Sequence, residues 1–189
     1  RFVEIKASVL MPLAVFLNGL KGKPTGVYYI DSTKLPVCDN LRINRHKVMK
    51  GIAKRGKTST GWFFGLKLHL LFNHQGEIMA CRVTPGNIDD RKPVQSMVKQ
   101  LKGWLFGDRG YIGSKLQASL KAKGIDFITT LKRNMKKLLI TPIQKYLLSK
   151  RGIVETIIDQ LKNILHVQHT RHRSPINYQV NLFAGLVAY

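Results

Sequence analysis

A mixed α/β fold, one five-stranded sheet flanked by helices, is what this sequence predicts, and three observations predict it. Short β-prone runs alternate along the chain with stretches of helical period. Two of those runs, "VYYI" and "WLFG", are continuously apolar, as strands covered on both faces are. The 189 residues are 44% hydrophobic, enough to bury one sizeable core.

At the amino end, "VLMPLAVFLNGL" is too short to span a bilayer and is interrupted by Pro12 and Asn18, so it is expected to be a core helix. Residues 1–25 are read as a helical segment left over from a longer upstream region, because the chain starts at Arg1, and residues 26–189 as the main domain. "VYYI" is a buried strand that should emerge into a loop at Asp31, Ser32 and Thr33. The basic stretch "KGIAKRGKTSTG" lacks the glycine spacing of a nucleotide-binding loop and precedes a strand where that loop needs a helix; it is read as a mobile basic loop.

"WFFGLKLHLLFN" puts Leu66, Leu68, Leu70 and Phe72 on one face, and "NHQG" turns it into "EIMACRV", an antiparallel hairpin. "NIDDRKPVQSMVKQL" places Val94, Met97, Val98 and Leu101 at helical spacing. After "WLFGD", a second buried strand, "GSKLQASLKAKG" reads as a helix with Ser114 and Gln117 in capping-box spacing and Gly124 as terminator; "IDFITTL" is the last strand. From Ser149 on, Ile153, Val154, Ile157, Ile158, Leu161, Ile164 and Leu165 give the strongest helical period in the chain. Arg151, Glu155 and Lys162 share another face of that helix. "SPINYQVNLFAGLVAY" closes the chain as a helix begun by Ser174 and Pro175.

Lys and Arg total 32 against 10 Asp and Glu, a net charge of +22 that favours a polyanionic partner. The cations are clustered. No acid lies between Asp39 and Glu77, where Lys54, Arg55 and Lys57 fall, or between Asp126 and Glu155, where Lys132 and Arg133 fall. Two such tracts suit a phosphate backbone, and Arg171 with Arg173, on either side of His172, are further candidates for phosphate contact. Cys38 and Cys81 have no paired spacing, which excludes a disulfide framework and a zinc ribbon and fits a reducing cytoplasm. His166, His169 and His172 recur every third residue without a cysteine or carboxylate to complete a zinc set. Trp62, Phe63, Phe64 and Trp104 are assigned to the core.

With acids this sparse, those placed at strand ends draw attention. Asp31 and Asp108 each follow a buried strand, where ligand sites of α/β sheets lie. If the two strands are neighbours the carboxylates meet, and both stay ionised only with a cation between them. Mg²⁺ accepts one or two carboxylates plus phosphate oxygens, which makes a phosphoryl-transfer site of two ions, with Glu155 as the third ligand. The plain alternatives are strand-end turns for both aspartates and an i,i−4 pair between Glu155 and Arg151.

The motifs "YYIDST", "HKVMKGIAKRGKTSTGWFFGLKLHL", "TPGNIDDR", "GDRGYIG", "RGIVETIIDQLKN" and "RHRSPIN", in this order, resemble the catalytic domain of DDE-type insertion-sequence transposases of bacteria. The resemblance runs from about Gly26 to Tyr189 and implies a ribonuclease H-like fold. It implies that Asp31, Asp108 and Glu155 are a catalytic triad binding two Mg²⁺, with Mn²⁺ as a substitute. It also implies an arginine-glutamate-lysine pattern, here Arg151, Glu155 and Lys162, with Leu148 where related groups carry tyrosine. Arg109 of "GDRGY" joins the expected DNA contacts. The implied reaction is cleavage at transposon ends and strand transfer into target DNA, by a homodimer in a synaptic complex associated with the nucleoid, and no membrane is expected. Two other readings stay open at this point: a basic nucleic-acid-binding protein without activity, and a ribonuclease H-like nuclease such as a junction resolvase, which cuts without joining.

Overall fold

The computed structural model describes residues 2–130, 140–168 and 172–189. Lys132, Arg133, His169 and Arg171, named above, lie outside these.

Long runs of β-branched, aromatic and leucine residues form the sheet. Its strands are β1 (Val27–Cys38), β2 (Lys54–Thr58), β3 (Gly61–Asn73), β4 (Ile78–Pro85), β5 (Gly103–Gly107) and β6 (Ile125–Thr129). The order is β2-β3-β1-β5-β6, with β4 also on β3. β4 pairs with Leu66 to Phe72 and β2 with Gly61 to Gly65, so the short β2 shares one edge of β3 with β4. β1 runs antiparallel to β3 and parallel to β5, and β5 is parallel to β6. This is the mixed sheet the sequence predicts with β2 added.

The basic stretch expected as a mobile loop is ordered differently. Within it Lys54, Arg55 and Lys57 lie on β2, hydrogen-bonded into a hairpin with β3, and upstream of it Asn40–Arg45 form a 3₁₀ turn. Glycine permits the tight coiling there. A Cβ on Gly65 would collide with the Leu35 carbonyl and one on Gly56 with the Gly86 carbonyl.

The helices are α1 (Phe2–Ile5), α2 (Leu10–Gly19), α3 (Val94–Met97), α4 (Ser114–Lys121), α5 (Pro142–Ser149), α6 (Gly152–Asp159) and α7 (Pro175–Ala188). One sheet face, with Tyr29, Leu35, Leu68, Leu70, Phe72 and Phe106, packs against Val154, Ile157 and Leu161 of the α6 region and Tyr178, Leu182 and Leu186 of α7. The other, with Tyr28, Ile30, Leu71 and Leu105, packs against Val94, Met97, Val98 and Leu101 around α3 and Leu116 and Leu120 of α4. Burying both faces explains why "VYYI" and "WLFG" are continuously apolar.

Several local expectations are corrected. α2 is a helix but not a core one: Leu17 is buried while Met11, Val15 and Phe16 are exposed. The helix around Pro93 is one turn, although its four predicted apolar residues are all buried. α4 has Gly113 at its N-cap with no side-chain cap, so Ser114 and Gln117 form no capping box. A true one opens α5, where Thr141 Oγ1 accepts from the Gln144 N–H and Gln144 Oε1 accepts from the Thr141 N–H. The long helix from Ser149 is interrupted: α6 passes at Gln160–Ile164 into a π-turn. Ser174 caps α7 as expected, accepting from the Asn177 N–H at 3.1 Å.

Candidate active site and nucleic-acid interface

Asp31 does not end its strand, contrary to expectation, because β1 keeps its antiparallel partner β3 as far as Cys38. What ends is the parallel pairing, whose last partners are Tyr29 and Phe106. Continued two residues on, that register sets Asp31 against Asp108, just past the carboxyl end of β5. Strand alternation turns Asp31 toward the face where Tyr29 and Phe106 meet at 5.5 Å and where α6 packs.

Glu155 lies on α6 above that face. Between it and Asp31 stands Arg151, with one guanidinium nitrogen 3.6 Å from Asp31 Oδ2 and the other 3.3 Å from Glu155 Oε1. The i,i−4 pair is therefore real, and the same arginine reaches the sheet. Asp31 is half-buried, whereas Asp108 and Glu155 are exposed. The Ser32 N–H donates to Asp31 Oδ1 at 2.8 Å and the Arg109 N–H to Asp108 Oδ1 at 2.7 Å. Asp108 thus also caps the 3₁₀ turn Arg109–Tyr111.

Burial, with the Asp108 and Asp90 charges adding to it, pushes the Asp31 carboxyl up to about 6; the Ser32 N–H and the Arg151 guanidinium pull the other way. Tyr111, buried behind the site, is driven well above its ordinary value by burial and by Asp31, Asp90 and Asp108. The three carboxylates offer hard oxygen donors, and a half-buried one that resists ionisation is the kind a divalent cation relieves, so the donor set fits Mg²⁺ or Mn²⁺. Among the described residues, no three histidine, cysteine, aspartate or glutamate side chains are gathered closely enough to hold a metal ion. The cation between Asp31 and Glu155 here is Arg151.

The motif "TPGNIDDR" supplies a support that sequence reasoning missed. Asp90 accepts from Lys67 Nζ at 3.0 Å and lies 3.9 Å from His69 Nδ1; Lys67 also donates to the Ile88 carbonyl. His69 has no exposure, and burial lowers it to about 4, leaving it neutral, with its Nε2 against Thr84 Oγ1 at 2.8 Å. Arg91 ties the same loop to "GDRGYIG" through the Ile112 carbonyl at 3.3 Å. A signal was available: Lys67 and His69 alternate with Leu66, Leu68 and Leu70, and on a strand buried on both faces such residues need partners.

The candidate DNA contacts divide. Lys54, Arg55, Lys57, Arg109 and Arg173 are exposed. Arg109 Nε donates to Thr130 Oγ1 at 3.0 Å. Arg151 is engaged by the carboxylates. Lys162 is half-buried in the π-turn and lowered by burial and by nearby Lys34. Trp62 is not in the core: it is 62% exposed, whereas Phe63 is buried and Phe64 and Trp104 pack partly against the core. Cys38 and Cys81 are free thiols. Among the described residues no helix is long and apolar enough to cross a membrane.

A family model described as Transposase DDE domain matches residues 21–175. No curated protein matches the sequence directly. Among solved structures, the chain is similar to the piggyBac transposase in a synaptic complex with hairpin DNA: TM-score 0.52, 10% identity, 99% of this chain and 52% of that one covered. It also matches the catalytic core domain of BIV integrase (TM-score 0.46, 13% identity, 86% of this chain and 82% of that one). A third match is the simian T-cell lymphotropic virus intasome in complex with a PP2A regulatory subunit (TM-score 0.45, 12% identity, 87% and 49%). The chain spans about half the length of the piggyBac and intasome chains. The piggyBac likeness and the strand order agree on the ribonuclease H-like fold.

Proposed function

The chain belongs to the Transposase DDE domain family, and on that premise we propose that it cleaves DNA at transposon ends and transfers the freed strand into target DNA, with Asp31, Asp108 and Glu155 as its catalytic carboxylates. The observation that supports this reading is the parallel pairing of β1 with β5, which ends at Tyr29 and Phe106 just before the two aspartates, with the helix of Glu155 packed over the same sheet face.

In this reading Asp31, Asp108 and Glu155 are the residues that would hold two divalent ions, Mg²⁺ or Mn²⁺, which when bound would supply Lewis acidity to a phosphodiester. Asp31 is half-withdrawn from water, so its charge is poorly solvated and is available to a cation. Asp108 sits at the rim, where a phosphate can approach. Arg151 holds Asp31 and Glu155 across the cleft, and its exchange to a DNA phosphate would free both carboxylates. Lys162 and the cations of β2 line up phosphate contacts around this centre. The DNA is double-stranded, and pairing of two ends calls for a homodimer, acting in the cytoplasm at the nucleoid.

Asp108→Ala tests the reading. Incubated with labelled duplex DNA and Mg²⁺ or Mn²⁺, the protein should nick it, and the variant should lose cleavage by at least about a hundredfold, the scale of removing one group that stabilises the transition state, while its duplex affinity barely changes. Cleavage that persists in the variant removes Asp108 from the chemistry. Joining of a supplied 3′-hydroxyl strand to a second duplex distinguishes a transposase from a nuclease that only cuts.

A further inference from the structure

The β2–β3 hairpin carries an arrangement the carboxylate chemistry does not use. Its turn, Ser59 and Thr60 between the strands, is exposed, as are Lys54, Arg55 and Lys57 along β2. Trp62 stands directly across from Lys57 in the ladder, 62% exposed, with the Lys57 ammonium 5.6 Å from the ring centroid. A tryptophan left in water on an ordered strand, beside buried Phe63, forgoes the burial that its size favours.

The hairpin is anchored on β1, the strand that carries Asp31. Lys34, three residues after Asp31 on β1, donates to Thr60 Oγ1 at 2.6 Å, and Thr60 meets Thr58 Oγ1 at 2.9 Å. Asn40 Nδ2 holds the Trp62 carbonyl at 2.9 Å. Lys34 is also close enough to Lys162 to lower its ammonium. A cation-bearing hairpin therefore presents an exposed indole. No acid occurs from Asn40 to Gly76 to oppose it.

An aromatic face within a cationic groove is how single-stranded nucleic acid is held: the cations follow the backbone and the ring stacks on a base of any identity. A base inside a duplex offers no such face. We propose that Trp62 is a stacking platform for an unpaired nucleobase of DNA lying along the β2–β3 hairpin. The proposal rests on the DNA reading above and adds to it a preference for single-stranded segments next to duplex.

The test uses the full chain and two probes, a fluorescein-labelled duplex with blunt ends and the same duplex with a thymidine overhang on one strand. Wild type should bind the overhang probe more tightly. Trp62→Ala should lose about fivefold to a hundredfold on the overhang, the range for losing one stacked base, and less than about twofold on the blunt duplex. Trp62→Phe should keep most of the preference, with thermal melting confirming that both variants fold. In a Trp104→Phe background, where Trp62 is the remaining indole, its fluorescence should be quenched by the overhang probe and not by the blunt one. Equal losses on both probes, or no quenching, would overturn the platform while leaving duplex binding intact. If wild type binds neither probe, the DNA reading itself falls and takes the platform with it.

Discussion

In the proposed function, Asp31 sits where chemistry and stability oppose each other. Its carboxyl is raised to about 6, against an ordinary 3.8. Between those values the folded state binds more protons than the unfolded one, so stability falls as pH rises through that window, and the deficit is complete above about 6. At 1.36 kcal/mol per pKa unit the deficit is on the order of 1–3 kcal/mol. Asp31→Asn should therefore raise the melting temperature near pH 8 in the presence of a chelator and lose that advantage near pH 4, while abolishing cleavage. A gain of the same size at both pH values would mean that its charge is not the source. The aspartate was legible from "VYYIDST"; its half-burial was not, because the partner strand and the helix above it are remote in sequence.

Among the elements, the loop carrying "TPGNIDDR" is a brace. Its Asp90 neutralises Lys67 inside the sheet layer, where an unpaired ammonium is expensive. Asp90→Asn should cost about 1–3 kcal/mol in urea unfolding, less than a fully buried pair because Asp90 is partly exposed, and Lys67→Met in the same chain should recover most of it. If the double variant is no more stable than the single one, the pair is not what Asp90 contributes. The β3–β4 hairpin was readable, since strict alternation of Leu66, Leu68, Leu70 and Phe72 has one structural solution. The β2 strand was not. Its "KRGKT" has little β propensity, and it forms because β3 extends past β4 and leaves an edge that it can pair. The π-turn at Gln160–Ile164 was equally hidden, since the apolar spacing through Leu165 satisfies an unbroken helix.

Across the whole molecule, a net charge of +22 on 189 residues favours a polyanionic partner. Replacing Lys54, Arg55 and Lys57 together with alanine should flatten the dependence of log K on log salt by about 2–3 for duplex DNA, close to one for each phosphate that these cations neutralise in the wild type. An unchanged slope would put the hairpin outside the duplex interface. α2 carries no charged residue, packs on α7, buries Leu17 in the core and leaves Met11, Val15 and Phe16 in water.

From the sequence alone came the α/β class, the five main strands, the capped last helix, the charge and the two strand-borne aspartates, all of them consequences of local pattern. Period, propensity and turn chemistry act within a few residues and need no partner to be read. Tertiary structure decided which strands are neighbours, and with that the parallel register of β1 and β5. It also decided that Arg151 spans Asp31 and Glu155, that Lys67 and His69 answer to Asp90, and that Trp62 faces water. Each of those depends on burial and on charges brought together across long separations, and burial is a property of the packed chain rather than of any stretch of it.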